Sequence, residues 1–88
     1  MSRTMQVDNN RFNINKMRTY EYIDEILQEF GCALPVSGTN EDGEAVIIEQ
    51  GWTEDNEHFY RLTTVQKNNW LRINEYYADG TVTETFKR

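Results

Sequence analysis

The segment MRTYEYIDEILQEFG, residues 17–31, decides the fold. Its apolar residues recur at steps of three and four, which places them on one face of an α-helix: Tyr20, Ile23, Ile26, Leu27 and Phe30. Gly31 follows directly and supplies the left-handed residue with which many helices end. The residue that caps the start is left open between Asn13, Asn15 and Thr19. The pattern predicts an amphipathic helix whose apolar stripe packs against another element.

Beyond residue 31 the helical period is lost, and turn residues separate five runs that have the composition of β-strands. These runs are CALPVSG, EAVIIEQGW, HFYRLTTVQ, WLRINEYY and TVTETFKR. Glu41-Asp42-Gly43 and Ala78-Asp79-Gly80 fit three-residue hairpin loops that end on a left-handed glycine, and Asn68-Asn69 fits a tighter two-residue turn. Pro35 cannot donate to a ladder, so its run is expected at a sheet edge or as irregular chain.

These elements predict an α+β fold, in which one amphipathic helix packs on a four- to five-stranded antiparallel meander sheet. We expect residues 1–88 to form a single small domain, because a chain of 88 residues has room for one hydrophobic core. Residues 1–14 are expected to form a short edge strand, around Thr4 to Val7, or a loose arm.

Cysteine content and hydropathy bear on the compartment. Cys32 is the only cysteine, so an internal disulfide is excluded and nothing indicates an oxidising compartment. The start MSRTMQVDNNRF lacks the apolar core of a signal peptide, and the sequence has no run of about 18 apolar residues. We therefore expect a cytoplasmic protein without a membrane span.

The net charge of −6 is distributed very unevenly along the chain. Residues 1–18 carry a net charge of +3 and residues 58–88 carry +2, whereas residues 19–57 contain eleven acids and no lysine or arginine. A surface that serves only solubility normally mixes both signs. The acidic segment therefore has two interpretations, a solvated face or a surface that engages a basic partner and speeds its association.

Metal binding is one possible function of the acidic loops, because calcium prefers several oxygen ligands in a short span. Read as a twelve-residue calcium loop, residues 38–49 place Asn40, Asp42 and Glu49 at ligand positions. Glycine occupies the first ligand position, however, and the following AVIIE is typical of a strand where a helix should begin. Solvated turn residues are the preferred interpretation, and we expect no metal and no cofactor.

The sequence also contains few residues suited to catalysis. His58 is the only histidine, and a nucleophile–base pair with Cys32 would require the two to meet in space. A position just past a helix C-terminus disfavours a thiolate, so Cys32 is expected to be a buried structural thiol. We expect no catalytic residues and a protein that is not an enzyme.

The run WLRINEYY, residues 70–77, supports a binding hypothesis of a different kind. As a strand it is expected to turn Leu71, Ile73 and Tyr77 towards the helix. The opposite face would then expose aromatic and polar residues together: Trp70, Arg72, Asn74 and Tyr76. Such a set suits either a protein interface or stacking on single-stranded nucleic acid. The negative net charge favours the protein interface, because domains that bind nucleic acid are usually basic.

These observations predict a small acidic, non-enzymatic protein-binding module whose partner presents a basic surface. Acidic side chains can occupy a groove meant for a nucleic-acid backbone, so an inhibitor or immunity-type protein acting on a nucleic-acid enzyme is coherent with the charges. Small size, acidity and the lack of a catalytic set are also the general character of inhibitors carried by phages and mobile elements, an analogy that identifies no family.

The alternative is a single-stranded nucleic-acid binder that uses the exposed sheet face, and a homodimer is left open. The expected partner-binding residues are the acids of the helix and loops together with three residues of the run 70–77: Glu21, Glu25, Glu29, Glu41, Asp42, Glu44, Glu54, Asp55, Trp70, Arg72 and Tyr76. Nucleic acid is considered an unlikely partner, and no membrane partner is expected.

Overall fold

The computed structural model describes residues 5–6, 14–31 and 33–88. In chain order it contains strand β1 (Met5–Gln6), a 3₁₀ turn (Ile14–Lys16), helix α1 (Tyr20–Phe30) and strands β2 (Val36–Thr39), β3 (Ala45–Trp52), β4 (His58–Val65), β5 (Leu71–Tyr77) and β6 (Val82–Lys87). Strands β2 to β6 form an antiparallel meander, and β1 pairs with β2 in parallel. The predicted α+β architecture, a helix on an antiparallel meander sheet, is confirmed.

Helix α1 begins after one of the three candidate caps and ends at the predicted glycine. Thr19 is the N-cap, and its hydroxyl accepts a hydrogen bond of 3.2 Å from the backbone N–H of Tyr22. At the other end Gly31 has φ of 62°, and its N–H donates to the carbonyl of Gln28 at 3.2 Å. The glycine terminator is therefore confirmed. Cys32 lies outside the described residues, so its expected burial stays a prediction.

The core lies between α1 and one face of the sheet. Side chains from the helix, from the segment before it and from four strands are buried there, and the release of their apolar surface from water stabilises the fold. The cluster consists of Ile14, Met17, Ile23, Leu27, Val36, Val46, Ile48, Tyr60, Leu62 and Tyr76.

The two edges of the sheet are β1 and β6. Strand β2 is covered on its outer side by β1, through the pairs Met5 with Val36 and Gln6 with Ser37. Of the two outcomes predicted for the run that contains Pro35, residues 33–35 are irregular chain, and the strand that follows them is not a sheet edge. Pro35 itself directly precedes β2, where a missing N–H removes no ladder hydrogen bond. Thr4 and Val7, the ends of the predicted edge strand, lie outside the described residues.

The four hairpin loops of the meander share one geometry. In each, the residue before a three-residue loop donates its N–H to the carbonyl of the residue after it; Tyr77 N to Thr81 O, for example, is 2.9 Å. The third loop residue has a positive φ in every case: Gly43, Asn56, Asn69 and Gly80. Glycine and asparagine tolerate this conformation best. The three-residue loops predicted at 41–43 and 78–80 are confirmed.

The loop between β4 and β5 determines which side of β5 faces the helix. Gln66 N donates to Trp70 O at 2.8 Å, so the loop includes Lys67 and is not the predicted two-residue turn. A two-residue turn would pair Thr64 with Ile73. The additional loop residue shifts the register, so Thr64 pairs with Arg72 instead. A register shift of one residue moves every side chain of the strand to the other face.

The predicted orientation of β5 is consequently wrong. Arg72, Asn74 and Tyr76 lie on the helix side of the sheet, because they pair with the inward-facing residues of β4. Leu71, Ile73 and Tyr77, which were expected to pack under the helix, lie on the opposite face. Tyr76 is only 7% exposed and belongs to the core.

Candidate protein-binding surface

The outer face of α1 carries a stripe of carboxylates. Glu21, Glu25 and Glu29 are exposed and follow one another at steps of four residues, so they line the side of the helix that faces away from the sheet. The ion pair seen between Arg61 and Glu75, at 2.8 Å, does not involve the acids of the stripe.

The two acidic loops lie at opposite ends of the sheet. Glu41 and Asp42 belong to the loop before β3, and Glu54 and Asp55 to the loop after it. The eight residues of β3 separate the loops by about 25 Å along the strand. The acids that are close in sequence therefore do not form one continuous surface.

The loop before β3 uses its polar groups for its own structure. The side-chain oxygen of Asn40 accepts hydrogen bonds from the backbone N–H of Asp42 at 3.0 Å and of Glu44 at 2.9 Å. The Asn40 amide in turn donates to the Glu44 carboxylate at 3.0 Å. These contacts explain the turn without a metal ion. Within the described residues, no group of three or more acidic, histidine or cysteine side chains is placed to hold one.

An exposed tryptophan lies at the end of the sheet that carries the other acidic loop. Trp52 is the last residue of β3 and is 58% exposed. Glu54 and Asp55 follow it in the loop and are exposed as well. The hydroxyl of Tyr20, the first residue of α1, contacts the ring of His58 just beyond this loop, which brings the helix N-terminus to the same end.

We call Glu21, Trp52, Glu54 and Asp55 the acidic Trp52 surface. Sequence reasoning found its three acids but missed its tryptophan. No local sequence signal marks Trp52, because its position beyond the last apolar core residues follows from its pairing with His58 in the assembled hairpin. An aromatic residue that lies beyond the core at a strand end has no interior into which it can turn.

His58 links the helix to the sheet beneath this surface. Its Nε2 is 2.8 Å from the side-chain oxygen of Gln50, and its Nδ1 is 2.8 Å from the Tyr20 hydroxyl. The Trp52 ring lies against the imidazole with a centroid distance of 5.1 Å. Both ring nitrogens are thus already bonded, and Cys32, whose pairing with His58 was considered and not expected, lies outside the described residues.

A second hydrogen bond joins the same elements deeper in the interface. The Tyr60 hydroxyl donates to the Asp24 carboxylate at 2.6 Å, and Tyr60 is 5% exposed. Burial, followed by this hydrogen bond, raises the pKa of Tyr60 well above its ordinary value of 10.0. Burial and the charge of Asp24 also raise the pKa of Tyr20. Both tyrosines are therefore held in the neutral form when the protein is folded.

These shifts predict alkaline destabilisation. Above about pH 10 the tyrosines of the unfolded chain lose their protons before Tyr60 and Tyr20 do so in the fold, so the free energy of unfolding falls as pH rises. Tyr60→Phe removes part of this dependence. Its deficit in stability relative to the natural protein should be largest near neutral pH and should shrink at high pH, as measured by urea unfolding across that range. A deficit that stays constant with pH would contradict the assignment.

The three predicted binding residues of the run 70–77 do not form an exposed face. Trp70 is half-buried, and the guanidinium of Arg88 lies over its ring at 4.9 Å. Arg72 lines a recess of about 460 Å³ on the helix side of the sheet, together with Asn74 and Glu84. Tyr76 forms part of the wall of that recess and is buried. A stacking platform that includes Tyr76 is therefore not present on the surface.

Comparison of the chain with protein-family models, curated proteins and solved structures found no match. Within the described residues, no helix has the length and apolar character that a bilayer crossing requires. The geometry of the surface is therefore the basis on which a function can be argued.

Proposed function

We propose that the protein is a non-enzymatic binding module that engages a basic surface of a partner protein through the acidic Trp52 surface. The supporting observation is an exposed indole, Trp52, at the end of the sheet where the exposed acids Glu54 and Asp55 and the N-terminus of α1 also lie. Trp52 is more than half exposed, and tryptophan is among the commonest anchors of protein interfaces.

The chemistry of this surface selects for arginine and lysine on the partner. A guanidinium or ammonium group over the Trp52 ring is attracted by its π-system, with about 0.5–2 kcal/mol depending on how well water is excluded. The carboxylates of Glu21, Glu54 and Asp55 add charge-assisted hydrogen bonds to the same groups. The stripe of Glu21, Glu25 and Glu29 extends the acidic field along α1, with steps of about 6 Å. Such a field accelerates association with a basic partner.

A nucleic-acid enzyme is the partner class that we favour. Its substrate groove offers a basic surface that already binds a polyanion, and a row of carboxylates can occupy that groove in place of phosphates. The protein would then act in the cytoplasm as an inhibitor or immunity-type protein, by analogy with the small acidic inhibitors carried by phages and mobile elements. The same carboxylates oppose direct binding of this surface to nucleic acid.

Charge reversal at one end of the sheet tests the proposal. Glu54→Lys combined with Asp55→Lys should weaken partner binding about tenfold or more and flatten its dependence on salt, because both acids are exposed and face the partner. Trp52→Ala should weaken binding about 30-fold. The partner is first captured from nuclease-treated lysate at low and at raised salt, and affinities are then measured with the purified partner.

The matched control is Glu41→Lys combined with Asp42→Lys, which makes the same chemical change at the opposite end of the sheet. It should leave the affinity within about threefold of the natural protein, since at that separation salt screens the charges. Equal effects of the two reversals would show that net charge matters and the acidic Trp52 surface does not. An unchanged affinity for both reversals and for Trp52→Ala would remove the proposal.

A further inference from the structure

Strand β6 is an edge strand in which the charges of Glu84 and Lys87 are the only feature that normally protects an edge. It spans six residues, Val82–Lys87, and pairs with β5 in one continuous register from Tyr76–Val82 to Leu71–Lys87. It contains no proline and no bulge, and its threonine, valine and phenylalanine favour extended structure. Short length, proline, bulges and charge are the usual means of preventing edge-to-edge pairing. The opposite edge, β1, has only two residues.

Alternate residues of β6 direct their backbone hydrogen-bonding groups away from the sheet. Tyr77 and Thr81 form a hydrogen-bonded pair at 2.9 Å, so the alternation of an antiparallel ladder makes Ile73 with Thr85 a bonded pair as well. The N–H and C=O groups of Glu84 and Phe86 consequently point outward. No described strand lies on that side. These groups form a template for one more strand.

Two of the three exposed large apolar side chains in the described part of the chain lie on the same strand. Val82 is 53% exposed and Phe86 49%, and both lie on the helix side of the sheet because Val82 pairs with Tyr76. Glu84 lies between them on that side, and Arg88 follows in the same alternation. The exposed edge therefore presents an alternating set of apolar and charged side chains that a matching strand can complement.

We propose that β6 pairs antiparallel with β6 of a second copy of this chain, with Phe86 opposite Phe86 across a two-fold axis. In this register Glu84 lies opposite Arg88 of the second copy, so two opposite-charge pairs flank one aromatic pair. Centring the pair on Glu84 would oppose two carboxylates. A two-fold axis at Thr85 would place Glu84 opposite Phe86, so neither the opposite-charge pairs nor the aromatic pair would form. The charges thus select the second copy as occupant and fix the register.

The resulting assembly has defined consequences for the proposed function, although it does not depend on it. A two-fold axis normal to a continuous sheet places both helices on the same side of the sheet. Two acidic Trp52 surfaces would then be displayed together, and a partner with two basic sites would be held by both. Dimerisation uses only residues of β6 and Arg88. The dimer and the binding of a partner at the acidic Trp52 surface can therefore be tested independently.

A charge exchange tests the register. Glu84→Arg and Arg88→Glu are each expected to raise the dissociation constant of the dimer about tenfold or more, because each places like charges opposite one another twice. The double variant Glu84→Arg/Arg88→Glu restores the opposite pairs and should return the constant to within about threefold of the natural value. Sedimentation equilibrium over a concentration series up to about 1 mM measures these constants. Glu29→Arg, on the exposed face of α1, is the matched control and should leave the dimer unchanged.

Amide exchange supplies a readout that requires no substitution. The N–H groups of Glu84 and Phe86 should become protected as the chain concentration rises, whereas that of Thr85, already bonded to β5, should be protected throughout. A protein that stays monomeric at about 1 mM would overturn the proposal. Single reversals without effect, or a double variant that fails to recover, would overturn it too. Protection of Phe86 only when an extended peptide is added to a monomer would assign the edge to another partner.

Discussion

Replacing Ile48 by alanine is expected to lower the free energy of unfolding by about 2–5 kcal/mol. Ile48 lies on β3 between Val36 and Leu62 and is 0% exposed within the core that also receives Ile23 of α1. The change removes buried methyl groups and leaves a cavity that strands on both sides prevent from closing. For a protein of this size, a loss in that range is a large fraction of the total stability.

The neighbouring residue provides the control. Ile47 has the same chemistry but points to the face of the sheet that α1 does not cover, where it is half-buried. Ile47→Ala is expected to cost about 1 kcal/mol. Equilibrium urea unfolding of both variants, with the slope of the transition compared as well, measures the two losses. Equal losses would mean that the uncovered face is packed in solution, which the structure of one chain does not provide.

Removing the Asp24 carboxylate should have the next largest effect on stability. Asp24→Ala leaves the buried hydroxyl of Tyr60 without its acceptor, and an unsatisfied polar group in the interior costs about 1–3 kcal/mol. Removing the other partner of this hydrogen bond, by Tyr60→Phe, is expected to lower the free energy of unfolding by about 0.5–1.5 kcal/mol. The difference arises because Asp24 is only half-buried and still accepts a hydrogen bond of 2.9 Å from the Gln28 amide.

A double-mutant cycle isolates this pair. In Asp24→Ala/Tyr60→Phe neither partner is left unsatisfied, so the combined loss should be smaller than the sum of the two single losses. Thermal and urea unfolding, followed by circular dichroism, gives the free energies of unfolding of the natural protein, the two single variants and the double variant. Strict additivity would show that the hydroxyl finds water when Asp24 is absent, and that the interface between α1 and β4 is more open than its geometry indicates.

Local patterns predicted the elements of this fold well. The helix follows from the spacing of Ile23, Leu27 and Phe30 together with Gly31, because each of these signals acts within one or two turns of chain. The glycine loops at 41–43 and 78–80 follow from the conformational freedom of their last residue. These features depend on the residues within each segment and need no knowledge of the rest of the molecule.

Register could not be predicted in the same way. Whether Lys67 belongs to β4 or to the following loop changes nothing in the composition of the run, yet it moves Arg72 and Tyr76 from one face of the sheet to the other. The apolar residues Leu71 and Ile73 favoured the wrong face, because the helix covers only part of the sheet and the inner side of β5 lies largely beyond it. The face of β5 that packs towards the helix is therefore set by long-range strand pairing, and the alternation of apolar residues alone does not predict it.

The candidate binding surface was partly predictable for a related reason. The lack of any base between residues 19 and 57 is a property of the sequence, and it correctly gave exposed acids on the helix and in the loops. Their distribution over two ends of the sheet depends on the direction of β3. The role of Trp52 depends on its position beyond the core, which only the assembled hairpin reveals.

The coincidence of chain order and spatial order from β2 to β6 has a kinetic consequence. Every pairing in the meander closes a loop of three residues, so little conformational entropy is lost before a contact is gained, and contact order within the meander is low. During synthesis each strand emerges after the neighbour on which it will pair. The meander can thus grow by one hairpin at a time, and among the strands of the sheet β1 is the one that pairs with a distant segment.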